Sequence, residues 1–474
     1  MFAKIPTHTF LLLIPVLVLA GVGITPAGWT QPVGGDAASL ALGQAAFVTW
    51  ARDHALVIKT TDPAAPSADL GPAKALIGDA RVVMLGETER DAHEELQLNH
   101  RLVKYMVQQL GFTVLALEEN IASSDRINAY LLKGDGDPEE ILSGLSEWQT
   151  WNNEEFLSLL KWLRAYDKDP AHKRKVRVYG IDVLDPYASM VKVKAYLDRV
   201  DPDYAVFLDK GPVDFRSLKT DSWLQLAARY SKMPVSHQSA LHLYMNGLTA
   251  RFEERRSEYI TKSSEADYSR ALREATAAAR ANDFFISRAG DNLVETTNIR
   301  ITAMVDNVTW LLNEEAKGER LMIWAHNIHV SRDYIGIDIP GSAMIASSYP
   351  VGRFLSTELG DKLVSIGHSV NRRAYADSVF VPPLASSFDG ALVEVGKPLY
   401  LLNLRSVPSG GEAADWINRQ NSMRVLGGVT RLVPAKAYDA VVFFDKVTPA
   451  VPTAAARARL EGMGAAYLST RATF

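Results

Sequence analysis

The amino-acid sequence predicts an α/β fold, a mostly parallel central sheet flanked by helices with a helical insertion over the carboxyl edge of the strands. Three observations predict it. Short runs of Val, Ile, Leu and Phe recur along the chain and are apolar throughout, as strands covered on both faces are. Segments of helical period separate them. From about 185 to 300 these runs stop, and the chain turns charged, Ala-rich and helical.

The chain opens with MFAKIPTHTFLLLIPVLVLAGVGITPAGWTQ, where Lys4 precedes an uncharged apolar run from Phe10 to Ile24. That run is short for a membrane span, which needs about 20 residues, and small residues follow it. Residues 1–27 are therefore expected to be an export signal cut after Ala27, with an uncleaved anchor as the alternative. Removal leaves no stable membrane span, and the mature protein is expected to be periplasmic or secreted. A linker at 28–45, around Gly34 and Gly35, leads into the first part of the core at 46–184. Strands are expected at Arg81 to Leu85, Thr113 to Leu117 and Val176 to Ile181, with a helix through Leu102, Val103, Met106 and Leu110 that stops at Gly111. The insertion occupies 185–300. The second part of the core, 301–452, supplies strands at Leu321 to Ala325, Leu363 to Ile366, Pro398 to Leu402 and Ala440 to Phe444, before a tail at 453–474.

With 474 residues, 47% of them hydrophobic, the chain has ample material for a sizeable core. Lys plus Arg number 51 against 55 Asp plus Glu, with no long block of one sign, so no nucleic-acid partner is expected. The absence of cysteine excludes disulfides, thiolate ligands and a cysteine nucleophile. Nothing in the sequence specifies an oligomeric state.

Four of the expected strands end in chemistry-bearing residues. VVMLGE ends in Glu87, VLALEE in Glu118 and Glu119, VRVYGID in Asp182, and LMIWAHNIH in His326 with His329 after it. The carboxyl ends of parallel strands line one edge, where ligands bind, so these side chains are expected to converge. Carboxylates beside imidazoles permit general acid-base chemistry, since a carboxylate orients an imidazole and raises its basicity. Glu87, Glu118, His326 and His329 are also acceptable ligands for a divalent metal, the alternative to a site without cofactor. His326 and His329 lie three apart at a strand end, unlike the zinc-protease pair four apart on a helix. No G-x-S-x-G elbow, dinucleotide-binding glycine pattern or phosphate-binding loop is present.

Over roughly residues 40 to 452 the sequence resembles the erythromycin esterase family. LGETER resembles the opening block, LALEEN the next strand's glutamate, WNNEEFLSLLKWLRAY the tryptophan-rich helix, YGID the Gly-x-Asp strand end, RITAMVDN the arginine helix, WAHNIHV the AHN-x-H block and YDAVVFFDKVTPAVP the last strand and its tail. The resemblance implies ester hydrolysis, notably of a macrolide lactone, with a histidine activating water and no covalent acyl-enzyme. It also implies that Glu87, Glu118, His326 and His329 line the cleft, that Arg300 points into it, and that the insertion forms one wall.

The chain departs from the family pattern twice. Arg90 stands where the family places its water-activating histidine, and Ile301 follows Arg300 in place of an acidic residue. A guanidinium stays protonated and cannot act as a general base. Three expectations compete. The base role moves to His93, three residues on; or His326 or His329 takes it, with Arg90 stabilising an oxyanion or holding an anionic group; or the cleft only binds. The leading expectation is a metal-independent hydrolase of a small-molecule ester, macrolide lactones included, or of a related acyl bond. His326 serves as base or acid with His329 its partner. Glu87 polarises a histidine or the attacking water, Glu118 supplies a second carboxylate, and Arg90, Arg300 and Asp182 bind substrate. The alternatives are a non-catalytic periplasmic binding protein for an anionic ligand and a metal-dependent hydrolase using the same cleft.

Overall fold

The computed structural model describes residues 37–210, 214–220, 222–338, 345–374, 382–425 and 428–463. The expected export signal and its cleavage point lie outside these residues.

Twelve strands are described: β1 (Leu56–Val57), β2 (Val82–Leu85), β3 (Val114–Asn120), β4 (Arg177–Asp182), β5 (Leu321–Trp324), β6 (Ile335–Asp338), β7 (Ile345–Ser348), β8 (Leu363–Arg373), β9 (Leu399–Asn403), β10 (Asn421–Val425), β11 (Gly428–Leu432) and β12 (Ala440–Val447). Eight of them form the central sheet in the order β1-β9-β12-β8-β2-β5-β3-β4. Its pairings from β12 to β4 are parallel, and only β9 runs antiparallel, to β12 and to β1. The fold is the expected α/β architecture with a mostly parallel sheet. The seven expected strands all lie in this sheet.

The apolar runs follow from double-sided burial. Val83 and Leu85 of β2 face one core with Leu96, Leu102 and Phe156, whereas Val82 and Met84 face another with Phe47, Met304 and Val308. Successive side chains on a strand point to opposite faces, so a sheet covered on both sides has few polar positions.

Three features depart from the expected outline. Residues 37–45, expected as linker, begin the helix Ala37–His54, because Phe47, Val48 and Ala51 are buried and Phe47 stacks on Trp416. Residues 454–463 of the expected tail are helical, with Ala456 and Leu460 buried. A second, antiparallel sheet of order β10-β11-β6-β7 stands apart from the first.

Between β4 and β5 the described chain is helical, and it builds a core of its own around Tyr230, Leu241, Phe252, Tyr259 and Phe285. The last long helix of this stretch, Leu293–Trp310, sends Met304 and Val308 into the core under the sheet and carries Arg300 to the strand ends. No described helix is long and apolar enough to cross a membrane.

Candidate functional site

The strand ends of β2, β5, β3 and β4 are neighbours, so the residues that close them meet. At β2 the chain makes a tight turn. Gly86 donates its N–H to the Ile366 carbonyl and accepts from Asn99, and a Cβ at this position would sit 2.2 Å from Oδ1 of Asn327. Only glycine admits that approach. Asn327 in turn donates its backbone N–H to the Glu87 carbonyl and exchanges two hydrogen bonds with the backbone of His368. The AHN block thereby stitches β5 to β2 and β8. The rest of the turn is held by Glu95, which accepts from Thr88 N (2.9 Å) and Glu89 N (3.0 Å). Gly180 has a parallel reason at β4, where a Cβ would lie 2.1 Å from the Asn120 carbonyl.

Glu118 is fully buried and is the hub of the cluster. Its Oε1 accepts from Arg90, from Arg300 Nη2 at 3.0 Å and from His329 Nε2 at 3.1 Å, while Oε2 accepts the backbone N–H of His326 at 2.9 Å. Burial alone would raise its pKa, but Arg90, His329 and Arg300 outweigh it and hold the carboxyl well below its usual range. Arg300 also forks onto Asp182, through Nε at 3.1 Å and through Nη2. Ile301 is buried in the core on the sheet side of the helix, and Arg300 is oriented by Asp182 and Glu118 without an acidic neighbour in the chain.

Glu87 is buried with one oxygen bonded to Trp324 Nε1 at 3.0 Å and the other without a partner. Burial pushes its pKa up to about 8, against the pull of Arg90. Glu147 behaves in the same way: burial raises it to about 8, with Arg90 again opposing. It comes from the turn before the helix Trp148–Trp151, at no strand end, and sequence pattern gave no signal for it. His368, which pairs with Glu95 at 3.0 Å, likewise lies outside the strand-end pattern, although a histidine inside the apolar run VSIGHSV is a visible irregularity.

The two histidines of the AHNIH block are set differently. His326 has both ring nitrogens engaged by backbone, Nε2 on the Thr88 carbonyl at 3.0 Å and Nδ1 on the Ile328 N–H at 3.2 Å. Nδ1 must accept and Nε2 must donate, so the ring is neutral in one tautomer, and burial pushes its pKa down to about 3. His329 has one nitrogen on Glu118, and its Nδ1 is buried without a partner.

His93 does not join the cluster. Arg90 lies in the turn ahead of the helix His93–Leu110, so the two side chains share no helical face, and His93 pairs with Glu155. Of the four residues that the metal alternative names, Glu118 has its oxygens facing N–H donors and His326 has both nitrogens engaged by backbone. No group of three or more metal-ligating side chains gathers among the described residues.

Fold and site together define an α/β protein with a carboxylate, imidazole and arginine cluster at the carboxyl edge of its sheet. The chain belongs to the erythromycin esterase family, whose profile matches residues 107–447. It is 27% identical over 331 residues to the erythromycin esterase type II of Escherichia coli, a match covering 68% of this chain and 76% of that one. A solved Bacillus cereus protein superposes with a TM-score of 0.72 at 26% identity, over 86% of this chain and 99% of that one. A mutant erythromycin esterase in its open conformation shares the fold at a TM-score of 0.64 and 16% identity, over 82% and 96% of the two chains.

Proposed function

We propose that the protein is an exported hydrolase of carboxylic esters or related acyl bonds, with His329 as the general base. Family membership supports an esterase-like hydrolase, and the observation that carries the residue assignment is the His329 ring, anchored on Glu118 with its second nitrogen unpaired. The Nε2–H bond to Glu118 leaves Nδ1 as the lone-pair nitrogen, and the carboxylate stabilises the imidazolium that forms. His329 Nδ1 takes a proton as water attacks the acyl carbon. Glu87, protonated at neutral pH, donates to the carbonyl oxygen, and Arg90 and Arg300 supply positive field to the developing charge. Collapse breaks the acyl C–O bond, and the departing alkoxide receives the proton from His329, giving acid and alcohol.

His326 has a different part in this reading from the one its sequence position suggests. With both nitrogens spent on backbone it fixes the turn that carries Glu87 and Arg90 and has no lone pair to offer. The binding-protein alternative draws support from Arg90, which cannot accept a proton and stands where the resemblance implies a water-activating histidine.

The test is turnover of a panel of chromogenic esters and a macrolide by the mature protein, beside His329→Ala and with and without chelator. Activity that disappears in His329→Ala and survives chelation is expected. Activity that survives the substitution removes His329 as base, and loss on chelation revives the metal-dependent alternative.

A further inference from the structure

Arg90 and Arg300 approach the same carboxylate, but their remaining donors are spent differently. Arg300 grips Asp182 through Nε and Nη2 and Glu118 through Nη2. Arg90 touches Glu118 through Nη2, and its Nη1 is buried without an acceptor. A buried N–H of a guanidinium left unpaired is costly, and a ligand oxygen that satisfies it gains a charge-assisted hydrogen bond. The side chain is 25% exposed as a whole, so other atoms of Arg90 face solvent while Nη1 itself is closed off, and a ligand oxygen meets Nη1 only by displacing a neighbour.

The surroundings suit an anion. Glu87 and Glu147 flank Arg90, and burial keeps both protonated at neutral pH, so neither repels negative charge and either can donate. Glu118 and Asp182 are already ion-paired to the arginines. A cationic ligand finds no free carboxylate here. Arg90 Nη2 and His329 Nε2 also bond the same oxygen, Glu118 Oε1, so a ligand of a few atoms held on Arg90 reaches the ring of His329.

We infer that Arg90 is a specificity residue for esters carrying an oxyanion, a carboxylate or phosphate, a few atoms from the scissile acyl carbon. The anion takes the unpaired Nη1, and the acyl carbon then lies at His329. This rests on the hydrolase reading above and goes beyond it in substrate class. A guanidinium at this position favours anionic esters over neutral ones.

The experiment compares two chromogenic esters at neutral pH, the para-nitrophenyl half-ester of adipic acid and its methyl-capped neutral counterpart, with uncatalysed rates subtracted. Wild-type protein is expected to favour the half-ester in kcat/KM by at least about tenfold, the value of one charge-assisted hydrogen bond. Arg90→Gln is expected to bring the ratio near one, and Arg90→Lys to keep part of it, with thermal melts confirming that both variants fold. Calorimetric titration with adipate and with inorganic phosphate reads the anion site without turnover and separates carboxylate from phosphate. Equal use of the two esters, or a preference that survives in Arg90→Gln, overturns the anion site and leaves the hydrolase standing. Turnover of neither ester sinks the hydrolase reading on these substrates, and calorimetry then decides the anion site: binding lost in Arg90→Gln supports it, and no binding by wild type overturns it.

Discussion

Two carboxylate–imidazole pairs occupy opposite settings in this molecule. At the sheet edge His329 rests on Glu118, nearly all of its side chain buried, with two arginines on the same carboxylate. At the start of the helix His93–Leu110, His93 rests on Glu155, 30% exposed, and Glu155 also accepts the backbone N–H of Val451. There the partners are the C-terminal segment: His93 N bonds the Thr448 carbonyl, and Glu94 accepts from Thr448. The same two residue types thus tie down a strap in one place and present an unpaired nitrogen among arginines in the other. The pairing itself does not make a base; burial, spare valence and neighbouring charge do.

The sharpest break between the pairs is expected in activity. His329→Ala is expected to lower ester hydrolysis by about a thousandfold, within the range for removing a positioned general base, and to cost some stability as well, since the buried ring's bond to Glu118 is lost. His326→Ala, three residues away, is expected to show its effect in unfolding, since it strands the Thr88 carbonyl and the Ile328 N–H. Steady-state rates and denaturant curves on both variants check this. Equal behaviour of the two would erase the distinction between them.

Glu118→Gln comes next. It is expected to destabilise the fold by about 3 kcal/mol, because two arginines lose the charge that they share in a buried setting. Glu155→Gln, which leaves a histidine 30% exposed and still offers an oxygen to the Val451 N–H, is expected to cost no more than about 1 kcal/mol. Urea unfolding of the two variants measures the contrast.

Much of this arrangement is legible in the sequence, and the limit has a physical cause. Seven of the eight strands of the central sheet show because burial on both faces leaves continuous apolar runs, and the strand-end rule names the edge at which Glu87, Glu118, Asp182 and His326 meet. Strands β10 and β11 escape because they are covered on one face only, and alternate buried with partly exposed residues as many loops do. The division of labour inside AHNIH escapes for another reason. It depends on which backbone atoms each ring meets, the Thr88 carbonyl and Ile328 N–H for one and neither for the other, and residue types carry no trace of that.

A third contrast lies in pH. Glu87 functions in its protonated form in the proposed mechanism, and its pKa of about 8 places an alkaline limb on kcat near that pH, with activity falling as the proton leaves. Glu87→Gln keeps a donor that cannot ionise, and is expected to move or flatten the limb at a lower rate. A pH–rate profile of both proteins checks it, and an unchanged limb would assign it to another group.

The smallest effect belongs to the strap, and its sign is fixed by the direction of the His93 shift. The hydrogen bond and charge of Glu155 raise the pKa of His93 above its ordinary 6.5, against partial burial. The folded state therefore binds the proton more tightly than the unfolded chain. The stabilisation is fully present below pH 6.5 and is lost as pH rises through the folded value. With the ring 30% exposed, solvent screening holds the contribution to about 1 kcal/mol or less. His93→Gln, which keeps polarity but not charge, is expected to lower the melting temperature at pH 6 and to converge on wild type at pH 9. Glu118 binds two arginines as well as His329, so no comparable convergence is expected of Glu118→Gln, whose deficit persists at pH 9 while both guanidinium groups stay charged.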